Sequence, residues 1–206
     1  MAQRRFHYEK AFEHYLRANR VPYVAVDEAR KALMPHDDVM KGDDPLSGSE
    51  GGVSLKSFDF VVYASTGSLL VDVKGRLFGS RKLDPCSFTR RRMENWVTQD
   101  DVSSMKHWER LFGEGFTGTF VFVYALAQQP PDALFEEIFE FDSRWYALRS
   151  IALASYVRHM TVRSQSWRTV QMPADAFGAL SSSFSVRNGR GGAPREARCG
   201  TTGAPC

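Results

Sequence analysis

Apolar residues at Tyr8, Ala11, Phe12, Tyr15 and Leu16 recur at the spacing of one helical face, which predicts a first helix from about Arg4 to Asn19, ended by Pro22. Tyr23 to Val26 then reads as a short strand and Glu28 to Leu33 as a short helix. Two β-rich runs follow, Leu55 to Tyr63 and Ser68 to Lys74, and the intervening Ala64-Ser65-Thr66-Gly67 suits a hairpin turn. Val102, Met105, Trp108 and Phe112 mark a helix over Asp100 to Phe112, with acids at its start and Gly113 past its end. Thr119 to Leu126 is apolar nearly throughout, as a strand buried on both faces would be. Ile138 to Leu153 reads as one or two strands around Asp142-Ser143-Arg144. Short helices over Ala154 to Met160 and Pro173 to Leu180 flank a strand near Thr169 to Met172. The order predicts an α/β fold, a mixed central β-sheet flanked by helices.

The chain has 206 residues, 43% of them hydrophobic and 25% charged, which suits a single α/β domain over 1–184. Within it, acids, glycines and serines cluster from His36 to Val53 and predict a flexible loop over 36–53. A Gly, Ala, Pro and Arg stretch over 185–206 is expected to be a disordered tail. No apolar run approaches the ~18–20 residues that a spanning helix needs, and no apolar segment follows Arg4 and Arg5 as in a secretory signal. A cytoplasmic protein with no membrane partner is the expectation. Cys86, Cys199 and Cys206 form no CxxC pair, so neither a disulfide framework nor a cysteine zinc site is indicated.

A net charge of +3 is too small to imply a polyanionic partner by itself. Its distribution says more, because 74–92 holds seven basic groups against one acid, whereas 93–142 holds two against ten. The basic members Arg76, Arg81, Lys82, Arg90, Arg91 and Arg92 lie among glycine, proline and serine, where they are candidates to contact phosphates; a solvated loop is the plainer alternative.

Two otherwise apolar strands are interrupted by charge at Asp59, Asp72 and Lys74. A buried unpaired carboxylate costs several kcal/mol, so something must compensate. Alternation puts Asp72 and Lys74 on one face of their strand, with Val71 and Val73 on the other. Pairing Tyr63 with Ser68 across the turn sets Asp59 opposite Asp72; a shift of two residues sets Asp59 opposite Lys74 instead. In both registers the three groups share a face. Two aspartates at one hairpin end suit Mg²⁺ or Mn²⁺, and an adjacent ammonium can hold a water or stabilise charge on a phosphoryl group. A structural ion pair without metal is the alternative, weakened because one lysine cannot neutralise two aspartates.

Asp59, followed thirteen residues later by Asp72-Val73-Lys74 on the next strand and preceded by a glutamate-bearing helix, resembles the PD-(D/E)XK nuclease superfamily, which has a restriction endonuclease-like fold. The resemblance spans about residues 4 to 126 and implies an α-β-β-β-α-β core. It implies metal ligation by Asp59, Asp72 and the Val73 carbonyl, a water-activating Lys74, and a glutamate from the first helix. Phe58 stands where the name-giving proline would be. Glu9 borders the apolar stripe of that helix more closely than Glu13 does, so Glu9 is the preferred acid and Glu13 the second candidate. The function implied is Mg²⁺- or Mn²⁺-dependent hydrolysis of DNA phosphodiester bonds; the alternative is a catalytically inactive module of the same fold that binds nucleic acid or a protein. DNA is the expected partner, and a homodimer is left open. The opening His7-Tyr8-Glu9-Lys10-Ala11-Phe12-Glu13 also resembles an uncharacterised bacterial family known by its HYExAFE motif, which implies no activity.

Other features point less far. Trp96 is a candidate for stacking on bases, while Trp108 falls on the apolar stripe of its helix. His7 and His14 are seven residues apart, which is not a metal-pair spacing, and the acids near His36 match no calcium loop. Neither a GxSxG nucleophile nor a glycine-rich phosphate loop is present.

Overall fold

The apolar run that ends at Leu126 becomes β7 (Phe116–Leu126), a central strand of a six-stranded mixed sheet in a computed structural model. The structure describes residues 3–26, 41–42, 53–64, 67–78, 93–127 and 135–184. The predicted helix over Glu28 to Leu33, most of the loop over 36–53, the basic residues Arg81, Lys82, Arg90, Arg91 and Arg92, and the tail lie outside the described residues.

Helix α1 (Gln3–Ala18) is followed by β1 (Tyr23–Ala25), a two-residue pair β2 (Lys41–Gly42) and β3 (Val53–Ser54), and the hairpin β4 (Phe60–Ala64) and β5 (Gly67–Phe78). Next come β6 (Val97–Thr98), α2 (Gln99–Phe112) and β7, then β8 (Ile138–Phe141), β9 (Arg144–Ala152), α3 (Leu153–His159), β10 (Thr161–Ser164), β11 (Thr169–Gln171) and α4 (Ala174–Leu180). The large sheet runs β1-β4-β5-β7-β9-β8, with only β5 and β7 parallel, and β10-β11-β6 forms a small second sheet. This is the mixed sheet with flanking helices that the pattern predicts, and α1, β1, β4, β5, α2 and β7 occur in the α-β-β-β-α-β order.

Alternation along β5 and β7 divides the interior into two cores. Val71, Val73, Val121 and Val123 pack with Ala11, Phe12, Tyr15 and Leu16 of α1. On the other face Leu70, Phe78, Phe120, Phe122 and Tyr124 pack with Met105 of α2, Tyr156 of α3 and Phe177 of α4. Phe120 meets Tyr156 edge to face at 5.2 Å. Each fully buried large side chain contributes roughly 1.5–3 kcal/mol, so both faces of the central strands are anchored.

Pairing across the β4–β5 and β8–β9 hairpins is regular. Tyr63 lies opposite Ser68, the first of the two registers left open by the sequence. Asp142 and Ser143 adopt φ of 50° and 56°, the left-handed pair that a tight two-residue hairpin needs. The largest differences from the expected boundaries are in β4 and β5. Strand β4 starts at Phe60 rather than Leu55, because Lys56 is held against α2: its N–H donates to Ser104 Oγ at 3.1 Å and its carbonyl accepts from Trp108 Nε1 at 2.8 Å. Strand β5 runs on through Gly75 and Arg76 to Phe78, carried by its parallel pairing with β7.

Candidate active site

The β4–β5 ladder ends at Phe60 opposite Val71, and Asp59 stands one step beyond. Its backbone is held from both sides, the N–H by the Val71 carbonyl at 2.9 Å and the carbonyl by the Val26 N–H at 2.9 Å. Its carboxylate then replaces the missing strand, accepting the Val73 N–H at 2.6 Å. In an extended strand the N–H and C=O of one residue point to the same edge, so the Val73 carbonyl faces the side where Asp59 stands.

Asp72 and Lys74 lie on the face of β5 that carries Leu70, toward α2. Asp72 is 8% exposed, and Lys74 Nζ donates to its Oδ2 at 2.8 Å. Lys74 Nζ also lies 3.2 Å from Asp101 Oδ2, in the first turn of α2. Asp101 was not marked by the sequence. It is the N3 residue of a capping box: Thr98 Oγ1 accepts the Asp101 N–H at 3.1 Å, and Asp101 Oδ2 accepts the Thr98 N–H at 2.9 Å. Lys56 Nζ closes the network, donating to Asp101 Oδ1 at 2.9 Å and Thr98 Oγ1 at 3.0 Å. The Thr98-x-x-Asp101 spacing is the signal for the cap; nothing in it marks Lys74 as a partner.

Electrostatics separates the three aspartates. Burial, then the Asp72 charge, and also that of Glu9, push Asp59 well above the usual carboxylate range, against the pull of the Val73 N–H and Lys74. Burial also raises Asp72, although Lys74 opposes it. Burial acts the same way on Asp101, but there Lys74, Lys56 and the Thr98 cap outweigh it and hold the group at about 2. For Lys74, burial favours the neutral amine, yet Asp72 and Asp101 win and raise its pKa, so the side chain is an ammonium at neutral pH.

The two glutamates of α1 part company. Glu9 is half-buried and near enough for its charge to act on Asp59, approaching from the α1 face of the sheet, opposite to Asp72 and Lys74. Glu13 accepts from Arg17 at 2.6 Å and from the Tyr23 hydroxyl at 2.7 Å, tying α1 to β1. His7 reaches the Tyr146 hydroxyl at 3.0 Å, and His14 lies against Phe141.

Arg76 continues the row of Asp72 and Lys74 but turns inward. It donates to the Gly75 carbonyl at 2.7 Å and to the Trp96 carbonyl, and its guanidinium lies 4.1 Å from the Trp96 ring centroid. Arg163 of β10 also packs over Trp96, at 5.0 Å. Trp108 packs edge to face on Phe58 at 5.4 Å.

Among the described residues no three His, Cys, Asp or Glu side chains gather into a metal-binding cluster. Asp59, Asp72 and the Val73 carbonyl are nevertheless hard oxygen donors, and Mg²⁺ is commonly held by one or two carboxylates with water and substrate phosphate completing the shell. The donor chemistry fits such an ion. No helix among the described residues is long and apolar enough to cross a membrane.

No protein-family model and no curated protein matches the chain. Among solved structures the chain is similar to the 1.6 Å structure of Hjc, a Holliday junction resolvase from the archaeal hyperthermophile Archaeoglobus fulgidus, with 12% identity and a TM-score of 0.42 over 86% of this chain and 94% of that one.

Proposed function

We propose that the protein is a divalent-metal-dependent nuclease of the PD-(D/E)XK type, hydrolysing DNA phosphodiester bonds at Asp59, Asp72 and Lys74. The observation that carries this reading is a buried carboxyl group, Asp72, and a partly buried one, Asp59, close enough at a hairpin end for their charges to act on each other, with an ammonium 2.8 Å from Asp72. Asp59, Asp72 and Asp101 outnumber Lys74 and Lys56, so the site has a deficit of positive charge that a divalent cation would fill.

In this reading Asp59, Asp72 and the Val73 carbonyl hold Mg²⁺ or Mn²⁺, with Glu9 adjoining Asp59. Such an ion, when bound, polarises a phosphoryl oxygen and acidifies water. Lys74 hydrogen-bonds Asp72 and lies in an ion pair 3.2 Å from Asp101. An ammonium has three N–H donors, so it can also orient the attacking water or stabilise charge on the phosphoryl oxygens. As an ammonium it acts as donor and charge, not as the base that takes the proton.

The test is cleavage of linear, nicked, flapped and four-way DNA with Mg²⁺ or Mn²⁺, compared with Asp72→Ala. Cleavage by the wild type alone supports the proposal; identical behaviour on every substrate removes it. A second reading, an inactive module of the same fold, is favoured by one observation: Lys74 and Lys56 form an ion network with Asp72 and Asp101. It requires calorimetry to show no site-specific binding of Mg²⁺ or Mn²⁺.

A further inference from the structure

Between Asp142 and Asp175 the chain has no acidic residue, yet it carries Arg144, Arg149, Arg158, Arg163 and Arg168. Arg149 is used internally, on the carbonyls of Gly178 and Ser181, and Arg168 pairs with Asp100 at 3.1 Å. Arg163 is exposed, on the hairpin formed by β10 and β11. At the turn of that hairpin Trp167 is 80% exposed, leaving a large aromatic surface in water on the same hairpin as the exposed Arg163.

The turn is anchored at the candidate site. Thr169 pairs with Thr98, the cap of α2, and the Gln99 N–H donates to the Arg168 carbonyl at 2.8 Å. Asp101, the contact of Lys74, lies in the same helical turn. Trp96, which packs with the guanidiniums of both Arg76 and Arg163, links β5 to the hairpin.

An exposed arginine in an acid-free stretch of chain favours a polyanion, and an exposed indole offers a face for stacking. An acidic peptide would use the first and leave the second idle. In an intact duplex the base faces are already stacked on one another. We infer that the β10–β11 hairpin engages an unpaired stretch of nucleic acid, with Trp167 stacked on a base and Arg163 on a nearby phosphate, so that the protein selects DNA carrying unpaired bases beside the point of cleavage. The inference takes its substrate class from the nuclease reading, but binding does not depend on metal or on Asp72.

The experiment is fluorescence anisotropy with labelled flapped DNA and a fully paired duplex of equal length, in chelator. Wild type should prefer the flap; Trp167→Ala should weaken flap binding by about tenfold and reduce it to the duplex level, while Trp167→Phe keeps most of the preference. Arg163→Gln should flatten the salt dependence of log K by about one. Trp167 is exposed, and an unchanged melting temperature verifies that its variants fold. Flap affinity unaltered by Trp167→Ala overturns the inference, as does equal loss on flap and duplex, or equally Trp167-dependent binding of polyglutamate. Trp167-dependent binding retained in an Asp72→Asn chain, with no metal-dependent cleavage by wild type, would remove the nuclease reading and leave this one standing.

Discussion

Tyr8 lays its ring where a side chain at position 75 would stand: a Cβ placed on Gly75 falls 2.1 Å from Tyr8 Cδ2. Gly75 follows Lys74 on β5 and Tyr8 precedes Glu9 on α1, so this contact sets how closely the helix crosses the strand of the candidate site. Gly75→Ala must displace the ring, and urea denaturation is expected to show a loss of about 1–3 kcal/mol. Adding Tyr8→Ala should lower the extra cost of the alanine at 75. Equal costs in both backgrounds would mean the ring yields freely.

Asp59 lies in surroundings that disfavour its charge, whereas its bond from Val73 needs only an acceptor. Asp59→Asn keeps an acceptor and removes the repulsion with Asp72. Without metal it should be more stable than wild type, by about 0.5–2 kcal/mol, at the expense of function. Added Mg²⁺ should raise the melting temperature of wild type, by about 2.7 kcal/mol of stability at a hundredfold excess over Kd, and leave Asp59→Asn unmoved. A variant less stable than wild type, or one equally stabilised by Mg²⁺, contradicts this account.

The acid limb of stability should belong largely to Asp101. Its folded pKa of about 2 lies below the usual ~3.9, so the unfolded chain binds its proton first. The stabilisation is complete above about pH 4 and disappears as pH falls through 2. Asp101→Asn should thus cost on the order of 2 kcal/mol at neutral pH and converge with wild type near pH 2. Asp59 has the opposite sign, its ionisation on raising pH opposing the metal-free fold. Melting temperatures from pH 2 to 7 test both; a wild-type to Asp101→Asn gap that stays constant across that range refutes the assignment.

Glu13 is spent on Arg17 and Tyr23 at the surface. Glu13→Gln is expected to change metal-dependent cleavage less than twofold and stability by under ~1 kcal/mol. Glu9→Gln should reduce cleavage at least tenfold. Equal effects of the two on cleavage would detach Glu9 from the site.

Local rules explain which parts were legible. The pairing of Tyr63 with Ser68 is the one of two expected registers that sets Asp59 toward Asp72 rather than Lys74, and strand alternation puts Lys74 with Asp72. The helix over Asp100 to Phe112 is announced by its capping acids and by Gly113. What stayed hidden depends on contacts between distant segments. Asp101 reads as an ordinary first-turn acid until α2 lies on β5. Arg76 reads as a phosphate contact until Trp96 covers it. Gly75 lies beyond the expected strand, yet β5 runs through it on its pairing with β7, and the Tyr8 ring takes the place of its missing side chain.

The single oxygen Oδ2 of Asp101 receives both the Thr98 amide and the Lys74 ammonium. Helix start and Lys74 are therefore thermodynamically one unit: fraying of the first turn of α2 releases Lys74, and anything that draws Lys74 away from Asp101 loosens that turn. Hydrogen exchange at the Thr98 and Asp101 amides would then report whether Lys74 is held or released, making the start of this helix a built-in gauge of the candidate site.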